Sequence, residues 1–251
     1  MHYDPLMSQI VDRMGKGQYP SINKTDIENF KISLPSKDIR QKIVEECQVM
    51  DTEKHKAIEA IQKAKAKIED GFKGAHSKAH KRFKLSNSDD FEAFIGRRVL
   101  KDEVDNPNGT IPIYSANVFE PFGEIDKLFI KDFKEPSVLW GIDGDWMVNY
   151  VPANYQFYPT DHCGVIRVKT KEVNPRYLTW ALNEVGKVKR FSRSHRASTD
   201  RIKGISIKVP DIEIQNELEK DIIKQEKIID KANQVINMIT DRKQAILKNY
   251  L

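Results

Sequence analysis

The sequence predicts an α+β protein, in which a β-rich globular domain is flanked by two long helices that form an antiparallel coiled coil. Three observations predict it. Apolar residues recur at three- and four-residue spacing near both ends of the 251-residue chain. Between them runs a stretch of short strand-like segments punctuated by Gly, Pro and Asn. Each long helix is also introduced by nearly the same words, "ISLPSKDIRQKIVEE" from Ile32 and "ISIKVPDIEIQNELE" from Ile205. Setting Pro35 on Pro210 pairs Ile27 with Ile202, Phe30 with Ile205, Ile32 with Ile207 and Leu34 with Val209, and a one-residue gap then pairs Gln41 with Gln215. A repeated strand, proline and helix start is one supersecondary module used twice.

Four segments follow. Residues 1–34 form an N-terminal segment that ends in the first copy of the module. Residues 35–75 carry the first helix: Ile43, Cys47, Met50, Ala57, Ile61, Ala64 and Ile68 fall on one stripe, with Ser36 and Asp38 as N-terminal capping groups and Gly71 and Gly74 as the expected stop. Residues 76–210 are the β-rich domain. Strand-like runs "TIPIYSA", "KLFI", "SVLWGI", "WMVNYV" and "CGVIRVK" alternate there with turn signals "NPNG", "EPFG", "DGD" and "VPAN". One clear helix, "NPRYLTWALNEVGKVKRF", starts at Asn174-Pro175. Residues 211–251 carry the second long helix, where Leu218, Ile222, Ile229, Ala232, Ile236, Ile239 and Ile246 fit a seven-residue repeat interrupted by Gln225 and Lys243. At 1.5 Å per residue each long helix reaches about 50 Å, and such narrow seams need a partner helix to be buried.

Bulk properties exclude more than they assign. A hydrophobic content of 39% suffices for a core, and 42 basic against 37 acidic residues leave a net charge of only +5, so any nucleic-acid affinity depends on where the charges sit. No apolar run approaches the roughly 20 residues of a membrane span, and the N-terminus lacks the order of a signal peptide, so the expectation is a cytoplasmic protein with no membrane partner. Cys47 and Cys163, without CxxC spacing, read as structural thiols.

Catalytic motifs are few. GxxxxGK[ST], GxGxxG and HExxH are absent from the sequence. Asp143 and Asp145 in "WGIDGDW" could hold Mg²⁺, although a tight turn between strands is the commoner role of such a pair. His76 and His80 could chelate a metal if helical, and otherwise belong to a polar linker. His162 reads as a hydrogen-bonded core histidine. The strongest local signal is "GKVKRFSRSHRASTDRIK", residues 186–203, with Lys187, Lys189, Arg190, Arg193, Arg196, Arg201 and Lys203 against the single acid Asp200, interleaved with Ser192, Ser194, His195, Ser198 and Thr199. Forked arginines and hydroxyls suit phosphates and guanine edges, which favours nucleic-acid contact over a merely solvated loop, with Arg193, His195 and Arg196 as the candidates for base contact. Arg97, Arg98, Asn117, Trp146, Asn154 and Tyr155 are further DNA-binding candidates.

The order strand, proline, long helix, β-rich domain, then strand, proline and helix again resembles the DNA specificity subunit of type I restriction-modification enzymes. The resemblance is carried by "YPSINKTDIENFKISLPSKDIRQKIVEE", by "RASTDRIKGISIKVPDIEIQNELEK", and between them by "TIPIYSANVFEPFGEIDKLFIKDFKEPSVLWGIDGDWMVN", "FYPTDHCGVIRVK" and "VNPRYLTWALN". It implies a non-catalytic reader of double-stranded DNA. In that family two target recognition domains each read half of a split target, and conserved spacer helices set their separation. The helices also dock adenine-N6 methyltransferase subunits, with a restriction/translocase subunit as a further possible partner. S-adenosylmethionine is then expected on the methyltransferase, and no cofactor or metal on this chain. One departure stands out: residues 1–34 match only the tail of a recognition domain. The chain therefore looks like a half-length subunit or the C-terminal part of one, completed by homodimerisation or by another specificity chain. Two other classes remain open, a coiled-coil protein-interaction adaptor without DNA specificity and a metal-dependent nuclease or methyltransferase fragment using Asp143 and Asp145.

Overall fold

The computed structural model describes residues 4–13, 22–31, 34–104 and 108–250. The chain divides into two compact units, residues 66–225 and residues 1–65 with 226–251.

In the 66–225 unit, β2 (Phe91–Ile95), β8 (Cys163–Val168), β5 (Ser137–Gly141) and β6 (Val148–Val151) form an antiparallel sheet in the order β2-β8-β5-β6. All of β5 is buried, as expected of an apolar central strand. A second sheet sets β3 (Ile111–Tyr114) between β4 (Glu124–Ile125) and β7 (Tyr158–Pro159). The segments entering and leaving the domain, β1 (Lys81–Lys84) and β9 (Ser206–Val209), pair with each other, Lys81 opposite Val209 and Lys84 opposite Ser206. Helix α5 (Pro175–Lys189) covers the sheet. Asn174 caps it by accepting from the backbone N–H groups of Arg176 and Tyr177, and Pro175 occupies the first turn, where its missing N–H costs nothing. Tyr177, Leu178, Ala181 and Leu182 bury one face against Val138, Trp140, Val148 and Ile166. Gly164 is required at its place, because a Cβ there would lie 2.1 Å from the Trp140 ring.

Two expectations change. The run "KLFI" is not a strand: pairing falls earlier, at Glu124–Ile125, where Ile125 sits opposite Ile111. Ile130 is buried and Phe129 packs against Phe94 and Tyr158, so these side chains enter the core from irregular backbone. Helix α3 (Lys37–His76) also runs past both glycines expected to stop it. Gly71 instead makes room for a neighbour, its Cβ position lying 2.8 Å from the Leu218 side chain.

In the other unit, Ser36 caps α3, its Oγ accepting from the Ile39 N–H at 3.4 Å. Met50, Ala57 and Ala64 are buried at seven-residue intervals, as are Ala232 and Ile239 on α7 (Ile212–Tyr250). Asp51 pairs with Lys243 and Glu53 with Arg242, so the two segments run in opposite directions, as an antiparallel coiled coil requires. Helix α1 (Asp4–Arg13) is tied to the following chain by Gln9, whose side-chain amide bonds both backbone groups of Lys31.

The repeat is structural. The register that sets Pro35 on Pro210 also sets α2 (Lys24–Glu28) on α6 (Thr199–Lys203), end for end, and their caps Asn23 and Ser198 on each other. Their surroundings differ. Ile202 and Val209 are 0% exposed, whereas Ile27 and Leu34 are 59% and 70% exposed. Gln215 is buried and bonds three backbone groups, donating to the carbonyls of Glu172 (3.0 Å) and Pro210 (2.8 Å) and accepting from the Asn174 N–H (2.9 Å). Its counterpart Gln41 is exposed and, among the described residues, bonds only Glu45 along the helix. The remaining short elements are α4 (Lys101–Val104) and the caps and turns joining these strands.

Candidate nucleic-acid interface

The basic segment is not a free loop. Lys187 and Lys189 lie in the last turn of α5, where cations complement the exposed carbonyls, and Arg190 ends the helix in a left-handed conformation (φ 56°). The chain then dives inward at Phe191, which packs between Trp146 (ring centroids 5.1 Å) and His195 (5.6 Å, nearly parallel). Reciprocal backbone hydrogen bonds between Ser192 and His195, 3.1 Å each, close a turn that leaves Arg193 and Ser194 exposed at its tip. Buried Ala197 then anchors the segment, its N–H donating to the Ile142 carbonyl (2.8 Å) and its carbonyl accepting from the Trp140 indole (2.9 Å). Ser198 caps α6, which carries Arg201 and Lys203.

Arg196 is held at the sheet end. Its Nη2 donates to an Asp143 carboxylate oxygen at 2.6 Å, and its carbonyl accepts from the Arg201 guanidinium at 2.7 Å. Asp143 also faces His162, whose Nδ1 lies 3.1 Å from each carboxylate oxygen. Partial burial alone would raise the Asp143 carboxyl, but the Arg196 hydrogen bond and the neighbouring positive charges outweigh it and hold the group below its ordinary range. His162 is hydrogen-bonded as expected but does not lie in the core, its side chain being 43% exposed. Its backbone is pinned instead, the carbonyl accepting from Ile142 N–H at 3.1 Å and the N–H donating to Thr160 Oγ1 at 3.2 Å.

A recess of about 290 Å³ adjoins this cluster, lined by His162, Asp161, Thr160, Ser115, Phe122 and Arg98 among others. Arg98 belongs also to a second recess of about 310 Å³ that includes Arg97 and Lys127. Arg97 lies 5.2 Å over the Phe129 ring, and Lys127 pairs with Glu103. Arg98 is thus shared by both recesses, and His162, which lines the first, is linked through Asp143 to Arg196.

Several other candidates have tasks inside the domain. Trp146 packs on Gly186 and Phe191, and its indole donates to the Asn183 carbonyl at 3.1 Å. Asn117 caps its own turn through the N–H groups of Phe119 and Glu120. Asn154 takes a left-handed turn conformation (φ 64°), and the Tyr155 hydroxyl meets that of Tyr114 at 3.2 Å. His195 stacks on Phe191 while its edge faces solvent.

The two aspartates of "WGIDGDW" occupy the turn between β5 and β6, with Gly144 at φ +82°. Asp143 is committed to Arg196 and His162, while Asp145 is exposed. Helix α3 ends at His76, so His76 and His80 do not share a helical face: His76 meets the Tyr177 hydroxyl at 2.9 Å and His80 faces Asp211. Among the described residues no group of three or more His, Cys, Asp or Glu could hold a metal ion, and no helix is long and apolar enough to cross a membrane. Cys163 is buried, which pushes its thiol up, consistent with a structural thiol.

Sequence reading missed the joint role of Asp143 and His162 because nothing local relates them. The β5–β8 register does: Gly141 lies opposite Cys163, so the residues just beyond each strand end meet.

Comparison with known proteins agrees with this architecture. Residues 83–249 match the family described as "Type I restriction modification DNA specificity domain". The chain is 33% identical over 87 residues to the N-terminus of a type I specificity subunit of Mycoplasma pneumoniae, covering 35% of this chain and 46% of that protein. It is 29% identical over 125 residues to another specificity subunit of the same organism, covering 49% and 34%. These matches span less than half the length of the relatives. The fold is similar to the crystal structure of a type I restriction-modification S subunit from M. genitalium, with a TM-score of 0.63 at 13% identity over 99% of this chain and 70% of that one. It is similar also to a chain solved in work on complex assembly and conformational transition of the type I system, with a TM-score of 0.54 at 12% identity, over 98% and 66%.

Proposed function

The chain belongs to the type I restriction-modification DNA specificity family, and on that premise we propose that it is a non-catalytic DNA sequence-specificity subunit. Its 66–225 unit reads one half of a bipartite target, and α3 and α7 dock adenine-N6 methyltransferase subunits. The observation that carries DNA reading is the chain of contacts linking Arg97, Arg98 and Arg196, with Arg193 exposed on the same clamped segment as Arg196. Forked cations held on a rigid sheet end suit phosphates and base edges at low ordering cost. S-adenosylmethionine binds on the methyltransferase partner, and a restriction/translocase subunit joins where cleavage accompanies methylation. The complex works in the cytoplasm, where its DNA is.

A second recognition domain completes the reader, supplied by a second copy of this chain, by another specificity chain or by further residues of the same polypeptide. The exposure of Ile27, Leu34 and Gln41 supports this, because the matching Ile202, Val209 and Gln215 are all buried against a recognition-domain body. The test is co-purification with the methyltransferase encoded beside it, followed by sequencing of the DNA that the complex methylates. A split, adenine-methylated motif is expected, symmetric if two copies read it. Absence of both association and motif would leave the coiled-coil adaptor instead.

A further inference from the structure

Resting on that DNA reading, we infer that His162 is a specificity-determining residue: it offers its Nε2 as a hydrogen-bond acceptor to the exocyclic amino group of an adenine or cytosine, with Asp143 as the positioning residue that imposes this tautomer. The ring's Nδ1 faces the Asp143 carboxylate at 3.1 Å. An ionised carboxylate only accepts, so in the neutral imidazole Nδ1 carries the proton and Nε2 keeps its lone pair. Among the described residues Nε2 has no partner. His162 lines the 290 Å³ recess, and its Nε2 lies on the side of the ring away from the Nδ1 that Asp143 engages. Arg98 on the same recess supplies the cation that brings a DNA strand to it. In the major groove the N6 group of adenine and the N4 group of cytosine are the donors, whereas guanine and thymine present keto oxygens.

Arg196 makes the arrangement testable. Its guanidinium is donor-only, so in an Asp143→Asn variant the new amide oxygen stays with Arg196 and the amide N–H turns to His162. Nδ1 must then accept, and the proton moves to Nε2. The reading edge changes from acceptor to donor without a change of shape.

The experiment selects randomised duplex DNA with the full chain and with its Asp143→Asn, His162→Phe and His162→Gln variants, each checked by circular dichroism for native folding. Wild type is expected to prefer adenine or cytosine at one position by roughly three- to tenfold, the range of a single hydrogen bond. His162→Phe removes that preference alone, and His162→Gln, whose amide oxygen also accepts, restores part of it. Asp143→Asn shifts the same position toward guanine or thymine. If wild type selects a motif and folded His162→Phe retains every preference, the His162 assignment falls while the DNA reading stands. If wild type shows no salt-sensitive DNA binding, the DNA reading falls, and this assignment with it.

Discussion

Gln215→Ala is expected to be far more costly than Gln41→Ala, although the two glutamines hold matching places in the repeat. Gln215 is 1% exposed and serves two carbonyls and one N–H at 2.8 to 3.0 Å. Truncation leaves those groups buried without it. At about 1–3 kcal/mol per unsatisfied group, reduced because carbonyls tolerate under-bonding better than N–H groups, the loss comes to about 3 kcal/mol. In a domain of this size that lowers the melting temperature by roughly 6–12 °C. Gln41 bonds Glu45 on an exposed helix face, and its truncation costs about 0.5 kcal/mol or less. Urea unfolding followed by far-UV circular dichroism separates the two cases, since Gln41 lies on α3 and Gln215 on α7. Equal shifts for the two variants would refute the reasoning, because they would mean that the first copy is packed as the second is.

Gly164→Ala forces a methyl group to 2.1 Å from the Trp140 ring and should destabilise the same unit by about 1–3 kcal/mol or more, read in the same urea titration. Arg193→Ala removes an exposed cation at the loop tip. It should weaken binding evenly across DNA sequences and flatten the plot of log affinity against log salt by about 0.9 per lost phosphate contact, whereas loss on one sequence only would assign Arg193 to a base. Asp143 titrates below its unfolded value of 3.8, so its ionised form stabilises the fold above that pH and the contribution disappears as pH falls through the lower folded value. The stability advantage of wild type over Asp143→Asn that comes from the ionised carboxylate should therefore shrink as pH falls below about 4; a difference that does not change between about pH 5 and about pH 2 would contradict the clamp.

Periodicity made the two long helices legible, because heptad spacing is local and each buried position, Met50, Ala57 and Ala64 or Ala232 and Ile239, repeats the one before. Capping was legible for the same reason: Ser36, Asn174-Pro175 and Ser198 act within three residues of themselves. Failures came where a local pattern met a tertiary neighbour. Gly71 looked like a stop signal but is a contact, since Leu218 passes close by. "KLFI" looked like a strand but fills the core without pairing. The internal tasks of Trp146, in packing, and of Asn117, as a turn cap, likewise have no local signature.

The linear chain determined the α+β class, the repeated module and the concentration of cations in residues 186–203, because each is written in neighbouring residues. Tertiary structure decided which cations form a surface and what orients them. The pairing of β5 with β8 brings Asp143, which holds Arg196, against His162, which shares a recess with Arg98. Hydrogen-bond direction at a side chain depends on such long-range neighbours, whereas helix and turn signals act within a few residues, and for that reason the candidate surface became visible only in the folded chain.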